Sequence, residues 1–162
     1  MIYVLFFTPR QQRDALGHWI VRATHGSWSH VAVERSGTLV EAVWPRVHCL
    51  DGADALLATA GAGASVPLLG HDEDRAWSRA LSWVGRRYAL PELLGDLLAN
   101  TLGIRGIVPQ LPGSVVCSEL ACDVAQIAGD PRVPVSLLPS GVTPADLGGM
   151  LLGRRVPEPG GQ

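Results

Sequence analysis

The stretch HVAVERSGTLVEAV, His30 to Val43, constrains the fold of this chain more than any other. Two runs of branched apolar residues alternating with polar ones flank Ser36 and Gly37, the pattern of a β-hairpin. Loop length decides where every side chain points, because a shift of one residue turns a strand over. A two-residue Ser36-Gly37 turn pairs Arg35 with Thr38, Ala32 with Glu41 and His30 with Val43. It also gathers Val31, Val33, Val40, Ala42 and Trp44 on one apolar face. A three-residue loop sets Glu41 beside Val31 and Val33 and leaves His30 opposite Ala42. The apolar grouping selects the two-residue turn. His30 and Glu41 are then diagonal neighbours on one face, within reach of a long side chain.

Around this hairpin the chain reads as strands and helices of an α+β fold. Ile2 to Phe7 is an unbroken apolar run, the pattern of a strand covered on both faces. Asp14 to Thr24 sets Leu16, Trp19, Ile20 and Ala23 at helical spacing and leaves Arg13 and Arg22 wet. GADALLATAGAGAS reads as a short helix and a mobile connection, and SVPLL as an edge strand because Pro67 offers no ladder donor. A helix over Asp72 to Val84 opens on three acids and carries Ala76, Trp77, Ala80, Leu81 and Val84 on one side. Pro91 to Leu102 is a second helix, with Gly103 past its end. SVVCSELACDVAQIAG is a third, capped near Ser114 and stopped at Gly129, with Cys117, Leu120, Ala121, Val124 and Ala128 facing inward. TPAD, Thr143 to Asp146, starts a last helix with Pro144 at its first position. There are no internal repeats.

A chain of 162 residues is the size of one domain, and at about 150 residues a domain hides roughly two thirds of its unfolded surface. The expected domain spans residues 1–156, needs no cofactor to fold, and leaves 157–162 as a flexible tail. Charged residues are 17% and the net charge is −2, which argues against nucleic acid as a partner, since that needs clustered Lys and Arg. The opening MIYVLFFTPR holds an apolar run too short for a signal-peptide core, lacks a basic start and is broken by Thr8 and Pro9, so export by a Sec-type signal is not expected. No stretch reaches the ~20 apolar residues of a transmembrane segment. Three cysteines, Cys49, Cys117 and Cys122, are too few for a disulfide framework and fit a reducing compartment. A protein that is cytoplasmic as synthesised is expected; nothing in the sequence specifies an oligomeric state.

The residues that could do chemistry are Cys117, His30 and Glu41. A cysteine nucleophile needs a favoured thiolate, a base beside it and a group that fixes the base. A helix amino terminus supplies unpaired N–H groups and partial positive charge that favour thiolate, and those donors can hold a developing oxyanion. Cys117 would attack, His30 would pair with the thiolate and protonate the leaving group, and Glu41 would fix the imidazole tautomer. The plainer alternative is a buried filler cysteine with two ordinary polar residues on a half-wet sheet.

Rival sites are weaker. His48 and Cys49 are adjacent and point to opposite sides of a strand, and His18, His25 and His71 lack zinc-ligand spacing, so no metal is expected. Cys117 and Cys122 lie about 140° apart round one helix, the wrong geometry for a disulfide. No GxSxG or phosphate-loop pattern occurs.

WSHVAVERSGTLVEA followed far downstream by VVCSELACDV resembles the circularly permuted NlpC-like cysteine peptidases and amidases of the papain-like superfamily, the YiiX-like group. There the His-bearing hairpin precedes the Cys-bearing helix, the order found here. The resemblance extends to GRRYALPELLG and VTPADL and runs from Ile2 to about Leu152. It puts the family's histidine, acid and cysteine on His30, Glu41 and Cys117. It implies a small antiparallel sheet or partial barrel packed against helices, and cleavage of an amide or peptide bond, commonly in peptidoglycan peptides. Relatives near the lecithin:retinol acyltransferase-like group handle acyl lipids. Tyr88 then shapes the pocket or aids the oxyanion site, although Ala89 stands where many relatives carry Asp. Trp28 and Trp44 flank the hairpin as candidate cleft residues. A cell-wall substrate would require delivery by lysis or specialised secretion. Two other readings stay open: a lipid acyltransferase or esterase using the same triad, and a non-catalytic binding module with an inert Cys117.

Overall fold

A computed structural model describes residues 1–9, 15–52, 63–102 and 112–153. In chain order these form β1 (Ile2–Phe7), α1 (Ala15–Thr24), β2 (His30–Arg35), β3 (Thr38–Val43), β4 (Arg46–Asp51), β5 (Gly63–Pro67), α2 (Glu73–Ser82), β6 (Arg87–Tyr88), α3 (Leu90–Leu102), β7 (Ser114–Val115), α4 (Cys117–Ala128) and α5 (Pro144–Leu152). Seven strands make one sheet in the order β5-β1-β2-β3-β4-β6-β7, curled into a half-barrel packed with helices. Neighbours run antiparallel, as expected of the small antiparallel sheet or partial barrel, except β6 and β7, which are parallel at one edge.

The hairpin takes the two-residue turn. Ser36 and Gly37 sit at φ 53° and 85°, the paired left-handed residues of a type I′ turn whose twist matches the flanking strands. Arg35 pairs with Thr38 and Ala32 with Glu41, as the alternation predicts. Val31, Val33, Val40 and Ala42 are buried against α4 and its neighbours. Trp44 departs from that face: it lies past the end of β3 in the turn before Pro45 and is 66% exposed. The opposite face is not wet either, because Leu5, Phe7, Ala32 and Leu39 form a second buried cluster there. β1 is covered on both faces, in keeping with its unbroken apolar run.

α4 is the central helix and is buried almost all round, including Ser118, Cys122 and Ala125 besides the expected stripe. Full burial of Leu120 and Val124 stabilises by about 1.5–3 kcal/mol each. The helix ends on Gly129 in the left-handed conformation, and Gly70 passes so close that a Cβ there would overlap the Ala128 carbonyl. The predicted start at Ser114 is corrected to Cys117. Ser114 and Val115 pair with β6 and are therefore extended, and Val116 is the N-cap.

Three inward assignments are also corrected. Leu16 is exposed, and α1 buries Gly17, Ile20 and Ala23. Leu81 is exposed within α2, which buries Ala76 and Ala80, and Val84 is exposed past the helix end at Ser82; Trp83 turns back and donates from its indole to Asp123 at 2.9 Å. The edge-strand reading of SVPLL agrees with β5, which pairs only with β1 among the described strands. The Thr143-Asp146 capping box is formed, with Thr143 Oγ1 accepting from the Asp146 N–H at 3.1 Å. Asp130 is buried, holds Arg132 in a forked ion pair and accepts the Leu69 N–H, while Arg132 donates on to the Pro67 and Leu151 carbonyls. Arg13, the helix read within 53–62, Gly103 and the tail 157–162 lie outside the described residues. Among the described residues no helix is long and apolar enough to cross a membrane.

Candidate functional site

β7 delivers Cys117. Val115 pairs with Tyr88, the Val115 carbonyl accepts the Ala89 N–H at 3.1 Å, and two residues later the chain enters α4. The Glu119 carboxylate reaches back to accept the Val116 N–H at 3.0 Å, and Ser118 Oγ donates to the Val142 carbonyl at 2.6 Å. The first helical turn is thereby fastened on two sides. Cys117 occupies its first position, where backbone N–H groups have no intrahelical acceptor. The residue is only 5% exposed.

β2 delivers His30. Its Nε2 lies 3.1 Å from Glu41 Oε2, and its ring stacks on Phe7 with centroids 5.7 Å apart. The Ser29 N–H donates to the Phe7 carbonyl at 2.9 Å just ahead of it. Cys117 acts on the imidazole both through a side-chain hydrogen bond and through charge. Burial alone would push this imidazole down. The charge and hydrogen bond of Cys117, followed by the hydrogen bond and charge of Glu41, outweigh burial and raise its pKa from 6.5 to about 10.

Glu41 is buried to 7% exposure between Ala32 on β2 and His48 on β4, its two cross-strand partners. Tyr88 is buried beside the thiol: burial pushes its phenol up, and the charges of Cys117 and Glu119 push it further. Trp28 lies elsewhere, packed on Phe6 at 5.6 Å and so close to α5 that a Cβ at Gly148 would come within 2.6 Å of its ring. Trp44 stands at the exposed turn after β3. The structure thus brings Cys117, His30, Glu41 and Tyr88 together and leaves Trp28 in the core.

Four residues around this group escaped the sequence reading. Phe7 stacks on the ring, His48 is the cross-strand partner of the acid, and Ser118 and Glu119 fasten the helix start. Glu119 carried a signal, an acid three residues past an N-cap. It was obscured because Val116 is not a capping residue type. Phe7 and His48 depend on strand pairings that no local pattern encodes.

Other features are separate. Cys49 is exposed, and Cys122 is fully buried with its thiol pushed up to about 11 by burial and by the charges of Asp123 and Glu119, so it is poorly suited to react. A cavity of about 380 Å³, walled by Arg79, Trp83, Glu92, Glu119 and Asp123, adjoins α4. Among the described residues no three His, Cys, Asp or Glu side chains are grouped to hold a metal ion. No family model matches the chain, and no curated protein or solved structure matches it either.

Proposed function

We propose that this protein is a cysteine hydrolase that cleaves an amide or peptide bond, with a circularly permuted papain-like, NlpC-like arrangement. The observation that carries the reading is that His30 Nε2 lies 3.1 Å from Glu41 Oε2 while Cys117 is the strongest influence raising the pKa of the same imidazole. A half-buried imidazole set between an acid on one side and a sulfur on the other is the arrangement a thiol nucleophile needs.

The steps follow from the groups present. The Cys117 sulfur adds to the substrate carbonyl carbon, and the resulting oxyanion accepts hydrogen bonds from backbone N–H groups at the start of α4. The C–N bond then breaks as His30 passes its proton to the leaving amine, leaving an acyl group on sulfur. Acylation removes the sulfur charge that does most to hold the imidazole protonated, while burial still opposes the cation. His30 thereby becomes a base for the second half. It takes a proton from water as the water oxygen attacks the thioester carbonyl carbon; the C–S bond then breaks, the acid product leaves, and the released thiolate again faces the protonated His30.

The experiment is alkylation of the protein by iodoacetamide between pH 5 and 9, with the modified cysteine located by mass spectrometry. Cys117 is expected to react faster than a small free thiol near neutral pH and to lose that advantage in His30→Ala. Equal rates in both would end the catalytic reading. Screening against muropeptides, model amides and phospholipid esters then separates a peptidase or amidase from an acyl-lipid enzyme.

A further inference from the structure

Arg46 and Arg87 stand directly opposite each other where β4 pairs with β6. Directly opposed residues of an antiparallel ladder hold their Cβ atoms about 5 Å apart on one face, where like charges repel. Both arginines are exposed. Among the described residues the arginine ion pairs involve Arg35, Arg75, Arg79 and Arg132, and neither member of this pair.

Their position relative to the thiol is set by the sheet. Arg46 pairs with Val43, two residues beyond Glu41 on β3, so it shares the face of Glu41 and is its diagonal neighbour on β4. His30 meets the same carboxylate from β2. Arg87 precedes Tyr88, whose phenol responds to Cys117, and pairs with Ser114, the first residue of the strand that leads to the thiol. The Tyr88 N–H donates to the Pro45 carbonyl at 3.0 Å and ties the two arginine-bearing strands together at this corner. Two exposed arginines that take no part in the ion pairs of the described residues therefore share one end of the sheet with the sulfur and the imidazole.

Core packing does not account for an opposed pair of exposed guanidinium groups on a strand of only two residues. A carboxylate or phosphate between them would remove the repulsion and accept a forked pair of hydrogen bonds from each. We propose that Arg46 and Arg87 form an anion subsite beside Cys117, so that the compound acted on is an acyl substrate bearing a carboxylate or phosphate near its scissile carbonyl. The word substrate rests on the hydrolase reading above; the subsite itself can be tested without turnover.

The test compares iodoacetate, an anion, with iodoacetamide, its neutral analogue, as alkylating agents of Cys117 at low ionic strength. In the Arg46→Gln, Arg87→Gln double variant the iodoacetate-to-iodoacetamide rate ratio is expected to fall about threefold or more relative to the wild type. Inorganic phosphate should slow iodoacetate in the wild type and not in the variant. An equal ratio in the two proteins overturns the subsite, provided the urea midpoint confirms that the variant is folded. Three amides of equal acyl length, ending in a carboxylate, a phosphate monoester or a carboxamide, form the second arm. The variant should raise KM for one of the anionic substrates, relative to the carboxamide, about tenfold, and which one responds identifies the source of the charge. A shifted alkylation ratio with no turnover of any amide keeps the subsite and removes the hydrolase reading. Turnover with an unshifted ratio does the reverse.

Discussion

His30 Nε2 stands 3.1 Å from the Glu41 carboxylate, eleven residues away along the chain and one strand away in space. The type I′ turn sets that relationship by fixing the register, and the register puts an acid where it can hold one ring nitrogen of an imidazole that Cys117 also influences. The stacked Phe7 ring supports the same orientation from the neighbouring strand.

Glu41→Gln keeps the size and hydrogen-bonding capacity of the acid and removes its charge. The His30 titration, followed by the NMR shift of its ring Hε1, is expected to move down from about 10, because the Glu41 charge is one of the causes holding it up. If the hydrolase reading holds, kcat/KM falls about 10²-fold in parallel. An unmoved titration would mean that the carboxylate does not sustain the imidazolium.

Stability should weaken on both sides of neutrality for different reasons. The folded pKa of His30 lies above its unfolded value of 6.5, so the folded state holds this proton more tightly. Its contribution is complete below about 6.5 and is lost as pH rises through about 10, and His30→Gln should flatten that alkaline limb. Asp130 behaves oppositely. Burial opposes its ionisation, but the hydrogen bonds and charge of Arg132 and the Leu69 N–H hold its carboxyl below the ordinary value of 3.8. That contribution is present above 3.8 and lost as pH falls below it, and Asp130→Asn should flatten the acid limb. Urea midpoints measured from pH 2 to 10.5 check both, and variant curves parallel to the wild type would refute the assignments.

Gly70→Ala drives a Cβ into the Ala128 carbonyl at the end of α4, where backbone has to move. A loss of about 1–3 kcal/mol or more is expected from urea unfolding with an unchanged m-value. Gly141, at φ 86° with open space around its Cβ position, is the control: Gly141→Ala costs only the left-handed strain, about 1 kcal/mol. Equal costs for the two would show that contact with Ala128 is not the cause.

The hairpin was legible because period-two alternation and a two-residue turn agree on one register, and α4 because its apolar stripe and terminal glycine agree on one helix. The start of α4 was not. Ser114 is a good cap by residue type, but pairing with Arg87 extends it and passes the N-cap to Val116, a residue no local rule would choose. β6 and β7 have two residues each, too short to carry any periodic pattern, and they are the strands that place Tyr88 and Cys117. Trp44 was misplaced because alternation was extended one residue beyond the strand. Local chemistry named the thiol, the imidazole and the acid, while the pairings that bring them into contact are long-range.

Those short strands also give the sheet's curvature a chemical meaning. β2 and β7 are four places apart in strand order, a separation of about 19 Å if the sheet lay flat at about 4.8 Å per strand. Cys117 follows β7 by two residues, a chain reach of about 7 Å. Bending of the strands between them closes the difference, so sulfur and ring meet through the shape of the whole surface. Straightening β4 or β6 would disarm the pair while leaving every reacting atom chemically unaltered.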